Sequence, residues 1–539
     1  MTAAIARLVS PRREALLAGA LACAVAAFLV VLAPESGDAP AHLYRTLLVR
    51  EGVLVWDNLW YGGHYPLASY SLLYYLPAAL VGNLPLVFAA VVLSAAFFAA
   101  LVEGEWGAAG RWPARVFGVL AAGPIFLGTY SYALGLAAGL GALCALQRGR
   151  RWAAAGAAAL TLGFSPLAFM FLCLVLLALF LVRGRLGRSA LVFGAAIAGI
   201  AAVQLLALEL FPSKGDYPFR ALELFAVLTV SALGAALARG ARHGALLAAF
   251  FLVWGSASVI MFEVATPIGE NLTRLRSLVF PLMLLTGFVA RFSPRWLAAL
   301  ALSAALAYNV APYAAPAIEG SDMRPAHRAF WGPAIEFLES PSPNYRVEVV
   351  PTFDHWEAYW LPSAGIPIAR GWYRQIDMAQ NKLFYHRPLP APSYRDWLRR
   401  MGVRFVVLPQ TRLGQKGEER EAALLRSGRS GLRPVFMDGR VTIYELPRPD
   451  PILTGPGAPR VTHLDHSRVA GRLTKPGTFA LKIRYTRYWT VRRGAVCVER
   501  GTGGMTRIKA TRRGRFVLGV PENPDDLVGL LVGRPGAHC

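Results

Sequence analysis

An aspartate, two histidines, an arginine and a run of aromatic rings follow directly on the first apolar run of this chain. The stretch opens Gly37-Asp38-Ala39-Pro40-Ala41-His42-Leu43-Tyr44-Arg45 and continues Trp56-Asp57-Asn58-Leu59-Trp60-Tyr61-Gly62-Gly63-His64-Tyr65-Pro66. Asp38 and His42 are spaced i, i+4, and Arg45 lies two turns from Asp38, so on a helix all three share one face. Such a face sets a carboxylate base beside cationic groups able to hold a phosphate. The same residues also read as a helix start, because Gly37-Asp38 is an acceptable cap and Pro40 is tolerated in the first turn. The two readings are compatible.

Trp56, Asp57, Trp60, Tyr61 and His64 interleave flat apolar rings with carboxylate and imidazole groups, which suits a sugar with its apolar faces and hydroxyls. Gly62-Gly63 allows close backbone approach. The alternative is an aromatic belt at a membrane interface, the simpler account of Tyr70, Tyr74 and Tyr75. A second polar loop, Thr266-Pro267-Ile268-Gly269-Glu270-Asn271-Leu272-Thr273-Arg274-Leu275-Arg276, offers Arg274 and Arg276 as a clamp for an anion or as contacts to lipid headgroups. Further on, Asp354–Trp360 and Gly371–Asp377 are dense in aromatic and polar groups, fit for an acceptor groove or for a docking seam.

The elements that must position these residues are membrane spans. Of the 539 residues, 55% are hydrophobic and only 16% charged, against the roughly 25% charged usual in soluble proteins. The charges are segregated. Residues 1–312 are apolar runs cut by short basic spacers, and the rest reads as a soluble part. Spans are expected near 15–33, 84–102, 114–129, 131–147, 153–164, 166–182, 190–210, 221–238, 245–262, 278–291 and 296–312, about eleven in all. Those near 153–164 and 278–291 fall below the roughly 17 residues normally needed. The first is expected to be retained, since Leu32-Ala33-Pro34-Glu35 is a poor cleavage site. Arg148/Arg150/Arg151, Arg183/Arg185/Arg188, Arg239/Arg242 and Arg291/Arg295 then all fall on the N-terminal, cytoplasmic side, as basic spacers should. An odd number of spans puts the C-terminal part outside the cell membrane. The fold expected is thus a polytopic α-helical membrane protein. Residues 1–312 form the membrane module with a first outer loop at 34–83, 313–450 an extracytoplasmic α/β domain, and 451–539 an extracytoplasmic β-rich domain.

Strand alternation at Tyr345–Val350 and helical periodicity at Tyr394–Met401 precede a buried strand at Val403–Leu408. A helix at Glu418–Ser427 is followed by a hairpin over Val435–Leu446, turning at Asp438-Gly439. Short runs at Phe479–Tyr485, Tyr488–Arg492, Ala495–Glu499, Thr506–Ala510 and Arg515–Val520 predict a small β-sandwich. The net charge is +24, about +15 of it beyond residue 312. A basic outer surface suits lipid headgroups, phosphate-linked carriers or acidic envelope polymers, and no nucleic-acid-reading module accompanies it. Cys23, Cys144 and Cys173 fall in apolar runs as small core residues. Cys497 and Cys539 lie where a disulfide is allowed, and no cysteine spacing suggests a metal site.

An acidic residue in the first loop after the first span resembles the GT-C superfamily of integral membrane glycosyltransferases. Asp38 and His42, then Trp56, then Gly62-Gly63-His64-Tyr65-Pro66, are similar to large bacterial multi-spanning envelope proteins of this type. Trp397-Leu398-Arg399-Arg400-Met401-Gly402-Val403-Arg404-Phe405-Val406-Val407-Leu408 resembles the outer-domain core of bacterial proteins that glycosylate teichoic acids. The resemblance implies transfer of a sugar, with inversion, from a polyprenyl-phosphate-linked donor to an envelope glycan, lipid or protein acceptor. It implies Asp38 as general base, with His42, Arg45, Arg274 and Arg276 at the donor phosphate. Trp56, Asp57, Trp60, Tyr61 and His64 would then bind acceptor or sugar. Many relatives carry two adjacent acids in this loop, whereas Asp38 is followed by Ala39. The tryptophan-rich acceptor signature of oligosaccharyltransferases is absent, so its metal site is not implied, and a divalent metal stays open. Two other readings remain: a flippase of lipid-linked sugars, and a non-catalytic envelope scaffold. Transporters tend to show internal repeats and mid-membrane ionisable groups, and this sequence has neither.

Overall fold

A computed structural model of the chain describes residues 2–32, 37–66, 71–184, 188–212, 215–319, 322–339, 343–385, 388–414, 416–522, 529, 538 and 539. The expected Tyr70 belt residue, Arg185 and residues 33–35 of the poor cleavage site lie outside these described residues. The chain divides into two compact units. One comprises Met1–His42, Tyr70–Leu210 and Gly215–Ser321, and the other Leu43–Ser69, Phe211–Lys214 and Asp322–Cys539.

The first unit is helical because its sequence is long apolar runs with few breakers. Among the described residues, eight helical stretches are long and apolar enough to cross a membrane: Arg13–Val31, Asn83–Leu127, Tyr130–Gln147, Pro166–Arg183, Leu191–Leu210, Ala221–Arg239, Ala245–Glu263 and Gly269–Val289. The 45-residue stretch Asn83–Leu127 contains two of the runs expected as separate spans. It divides at Gly107 and again at Ala121-Ala122 into helices Asn83–Trp106, Arg111–Leu120 and Gly123–Leu127. Two further runs also form helices, Arg151–Phe164 with only 14 residues and Arg295–Glu319, which is apolar over Arg295–Ala311. Small residues fill the seams between helices, with Ala18, Ala22, Ala95, Ala99, Ala114 and Ala301 all buried beside Phe117, Trp254 and Met283. Small side chains let helix backbones approach closely where no hydrophobic driving force separates interior from lipid.

The second unit carries the sheets. Arg346–Val349 (β1), Val403–Pro409 (β2), Arg433–Met437 (β3) and Val441–Glu445 (β4) form one sheet in the order β1-β2-β4-β3, with β1 parallel to β2. The β3–β4 hairpin turns at Asp438-Gly439, where Asp438 Oδ1 accepts from the backbone of Arg440 and Val441. Helices Ala391–Met401 and Lys416–Arg426 cover this sheet, and Tyr394, Trp397, Leu398, Val406 and Leu425 share its core.

Leu453–Thr454 (β5), Arg460–Leu464 (β6), Arg468–Leu473 (β7), Gly477–Arg484 (β8), Thr490–Arg493 (β9), Val496–Arg500 (β10), Met505–Ala510 (β11) and Gly514–Gly519 (β12) follow. They make two antiparallel sheets, β10-β11-β8-β5 and β6-β7-β12-β9. Alternate residues of both sheets meet in one core, including Val469, Phe479, Leu481, Ile508, Phe516 and Leu518. Cys497 of β10 is disulfide-bonded to Cys539, with their Cα atoms 5.1 Å apart.

Candidate functional site

In the first unit, Asp38 sits in the turn that precedes helix Ala39–Arg50. Gly37 makes that turn possible. Its φ is +67°, and a Cβ there would lie 2.5 Å from the Leu127 carbonyl oxygen, so only glycine fits. The Asp38 amide donates to that same carbonyl at 3.1 Å, fixing the turn to the end of helix Gly123–Leu127. The Asp38 carboxylate then accepts from Arg274 Nη1 at 2.6 Å. The pair is only partly buried, with side-chain exposures of 11% and 25%, so both groups still reach solvent.

They open on a cleft of 430 Å³ lined by Gly37, Asp38, Pro124, Leu127, Thr129, Tyr132, Arg220, Glu223, Thr273, Arg274, Arg276, Ser277 and Ala311. Its charges are laid out as linked pairs. Arg276 donates to Glu223 Oε2 at 2.8 Å and to Thr273, and its guanidinium lies 4.8 Å from the centre of the Tyr308 ring. Arg220 forks onto Glu270 at 2.7 and 2.6 Å and reaches Glu223 at 3.4 Å. Glu270, Arg220, Glu223 and Arg276 thus form one chain beside the Asp38–Arg274 pair. Three guanidinium groups face three carboxylates. An entering anion must share or displace a carboxylate to engage them.

Of the expected phosphate ligands, Arg274 and Arg276 line this cleft. His42 and Arg45 do not. The His42 ring is buried among Tyr74, Tyr75 and Tyr130, with centroid distances of 5.5–5.8 Å, and its Nδ1 lies 3.0 Å from the Tyr75 hydroxyl. Arg45 belongs to the second unit, where it is buried with its guanidinium 4.5 Å from the centre of the Tyr373 ring. The three do not share one pocket. The Asp38 carbonyl accepts the first helical bond, from the His42 amide at 3.2 Å, and its carboxylate goes to Arg274, whereas His42 and Arg45 are taken up by aromatic rings. Arg220 and Glu223 were missed. Their signal is present, because both are charged groups at the start of an apolar run, next to the polar 215–220 loop.

The second unit holds the expected sugar platform, and it buries every member. Trp56, Asp57, Trp60, Tyr61 and His64 are each at most 5% exposed, so the structure gives these rings a packing role instead of an open face. Trp60 Nε1 donates to the Ala358 carbonyl and the Tyr61 hydroxyl to the Tyr373 carbonyl, which seats the run against both aromatic segments 354–360 and 371–377. Gly63, at φ +125°, is required by Trp56, whose Cζ2 would lie 2.3 Å from an added Cβ.

At the centre of this packing, Asp57 accepts from the Tyr44 hydroxyl (3.0 Å) and the Leu59 amide (3.1 Å), and pairs with His466 Nδ1 (2.9 Å). Burial alone would raise the Asp57 carboxyl, but the His466 hydrogen bond and the nearby imidazoles outweigh it and hold it below the ordinary range. His466 is raised in turn. Burial opposes its charge, but the bond to Asp57 and the nearby Glu51, 3.2 Å from Nε2, prevail. His64 stacks on Trp60 at 5.3 Å, and its Nδ1 stands 3.4 Å from Asp57, too long for a good bond. Burial therefore dominates and pulls it down to about 4.

No group of three His, Cys, Asp or Glu side chains among the described residues is placed to hold a metal ion. No protein-family model matches the chain, and no curated protein matches it significantly.

Proposed function

We propose that the chain is a membrane glycosyltransferase of the GT-C type that moves a sugar from a polyprenyl-phosphate-linked donor to a cell-envelope acceptor, with inversion. The observation that carries this reading is the cleft that gathers Asp38, Arg274, Arg276 and Arg220 at the ends of apolar helices. In this reading the chain crosses the membrane eleven times, with its N-terminus cytoplasmic and the sheet domains extracytoplasmic. The basic spacers support that orientation.

Arg274 now neutralises Asp38. A donor phosphate would compete for that guanidinium, because Arg binds phosphate and carboxylate with the same fork geometry. Asp38 would then be free to accept the proton of the acceptor hydroxyl as its oxygen attacks the anomeric carbon. The bond from that carbon to the phosphate oxygen breaks, and polyprenyl phosphate leaves with the bonding electrons. Arg274, Arg276 and Arg220 would stabilise the charge that develops on it. His42, Arg45 and the buried aromatic run are not assigned ligand roles in this proposal.

The test is release of polyprenyl phosphate by the full chain in detergent, supplied with a polyprenyl-phosphate sugar and envelope acceptors. A general base contributes about 10²–10⁴-fold, so Asp38→Asn should lose at least a hundredfold in kcat while melting close to the parent. Arg274→Gln should act mainly on the donor KM. A folded Asp38→Asn protein with parental turnover would end this reading. So would one that moves lipid-linked sugar across the bilayer without cleaving it.

A further inference from the structure

The outward face of the sheet β6-β7-β12-β9 carries a row of arginines that the site described above does not use. Register pairs Arg460 of β6 with Arg472 of β7, and Arg472 in turn with Arg515 of β12. Directly opposed residues point to the same face of a sheet, and adjacent strands lie about 4.8 Å apart. Three guanidinium-bearing side chains therefore stand in line across three strands. All three are exposed, while the intervening Val461, Gly471, Leu473 and Phe516 are buried on the opposite face. Arg493 of β9 pairs with Val517, two residues along β12 from Arg515, and extends the row. Arg512 and Arg513, in the turn before β12, are exposed at its end.

Like charges directly opposite on a sheet are destabilising. Nothing among the described residues relieves them here, since the side chains of Arg460, Arg472 and Arg515 make no hydrogen bond or ion pair. Among the described residues, the carboxylates of this region are engaged elsewhere. Asp450 faces Lys482, Asp465 pairs with His463, Glu499 with Arg507 and Lys509, and Glu522 with Arg468. A row of unopposed guanidinium groups on an otherwise well-packed sheet is complementary to a ligand of repeating negative charge. No large apolar side chain between residues 451 and 522 is exposed, so the face has nothing to insert into a bilayer.

We infer that this sheet face is a binding track for a linear acidic polymer, one bearing phosphate or carboxylate groups along its length. The inference is independent of the transferase chemistry at Asp38. Guanidinium suits both anions, since each can be held bidentately.

The experiment uses the full chain in neutral-lipid nanodiscs, with inorganic polyphosphate and polyglutamate as separate probes and binding followed across a salt series. The triple variant Arg460→Thr, Arg472→Thr, Arg515→Thr is compared with Arg426→Gln, Arg429→Gln, Arg433→Gln, which removes the same charge elsewhere. Each phosphate contact contributes roughly 0.7 to the slope of log K against log salt for a single-stranded polyanion. The sheet triple should lose at least tenfold in affinity for one probe or both and about 2 in slope, and the control triple should lose much less. The probe that responds more strongly identifies the anion. Arg472→Thr should also melt no lower than the parent, because it relieves two like-charge contacts. Equal losses in both triples, parental binding by the sheet triple, or a lower melt for Arg472→Thr would each overturn the inference. So would a sheet triple that loses binding to anionic phospholipid vesicles or to single-stranded DNA while keeping both polymers.

Discussion

Acidification should weaken the second unit through one residue, His64. The ring is buried against Trp60 and held to about 4, against its ordinary 6.5. Its folded value lies below its unfolded one, so between those pH values the unfolded chain binds the extra proton. Stability from His64 is thus complete above pH 6.5 and is lost as pH falls through 4. Integrating the two titrations from pH 6.5 to 4.5 gives a loss of about 2 kcal/mol. For a domain of this size that corresponds to a fall of about 4–8 °C in melting temperature.

His466 does not blur this window. Its folded value is raised, so its stabilisation is full below 6.5 and is lost only as pH rises through the folded value. Asp57, lowered in the folded state, adds to the acid loss only below its ordinary 3.8. Glu348, Glu421 and Asp377 are raised, chiefly by burial, and act with the opposite sign. The measurement is therefore a difference. The parent and His64→Phe are melted in detergent between pH 4.5 and 6.5, Phe keeping an unprotonatable ring against Trp60. The parent should lose about 2 kcal/mol more than the variant across that range. Equal slopes would refute the argument, because they would mean that His64 charges at no cost and is not desolvated.

Two other outcomes follow from the same unit. Arg370 is buried and donates to both Glu348 and Glu421, and Tyr394 donates to Glu421 at 2.7 Å. Arg370→Met should cost about 3–5 kcal/mol by urea unfolding, because it leaves both glutamates without their buried partner, whereas Glu348→Gln should cost less, because Arg370 keeps Glu421 and burial already disfavours the charge on Glu348. Equal costs would contradict that ordering. The Cys497–Cys539 bridge has a sequence separation of 42 residues, for which chain entropy gives about 4 kcal/mol. Paired Cys→Ser replacement should lower the melt accordingly, and hydrogen exchange should rise first in β10; a melt unchanged within 1–2 °C would show that the closed loop contributes little.

How much of this was legible without the fold divides along a physical line. The apolar runs fixed nearly every membrane-length helix, since burial over about 20 residues is a property of composition alone. The same held for local signals in the second unit. The Asp438-Gly439 turn, the strand after Gly402 and the strands ending at Ala510 and Gly519 lie within a residue or two of expectation, because period-two patterning and turn chemistry are short-range. Strands β5, β6 and β7 were missed, since their patterning is interrupted by exposed charge and glycine.

The site was legible only in part. Asp38 and Arg274 could be named from type and position. That they meet at 2.6 Å, with Arg220 and Glu223 in the same cleft, depends on helices far apart in sequence. Spacing also misled. Asp38, His42 and Arg45 are a helical face on paper, but Asp38 is held by Arg274 while His42 and Arg45 are enclosed by tyrosine rings. The aromatic run from Trp56 to His64 has the composition of a sugar platform and the burial of a core. Composition states what a ring can touch, and only tertiary packing decides which neighbour takes its face.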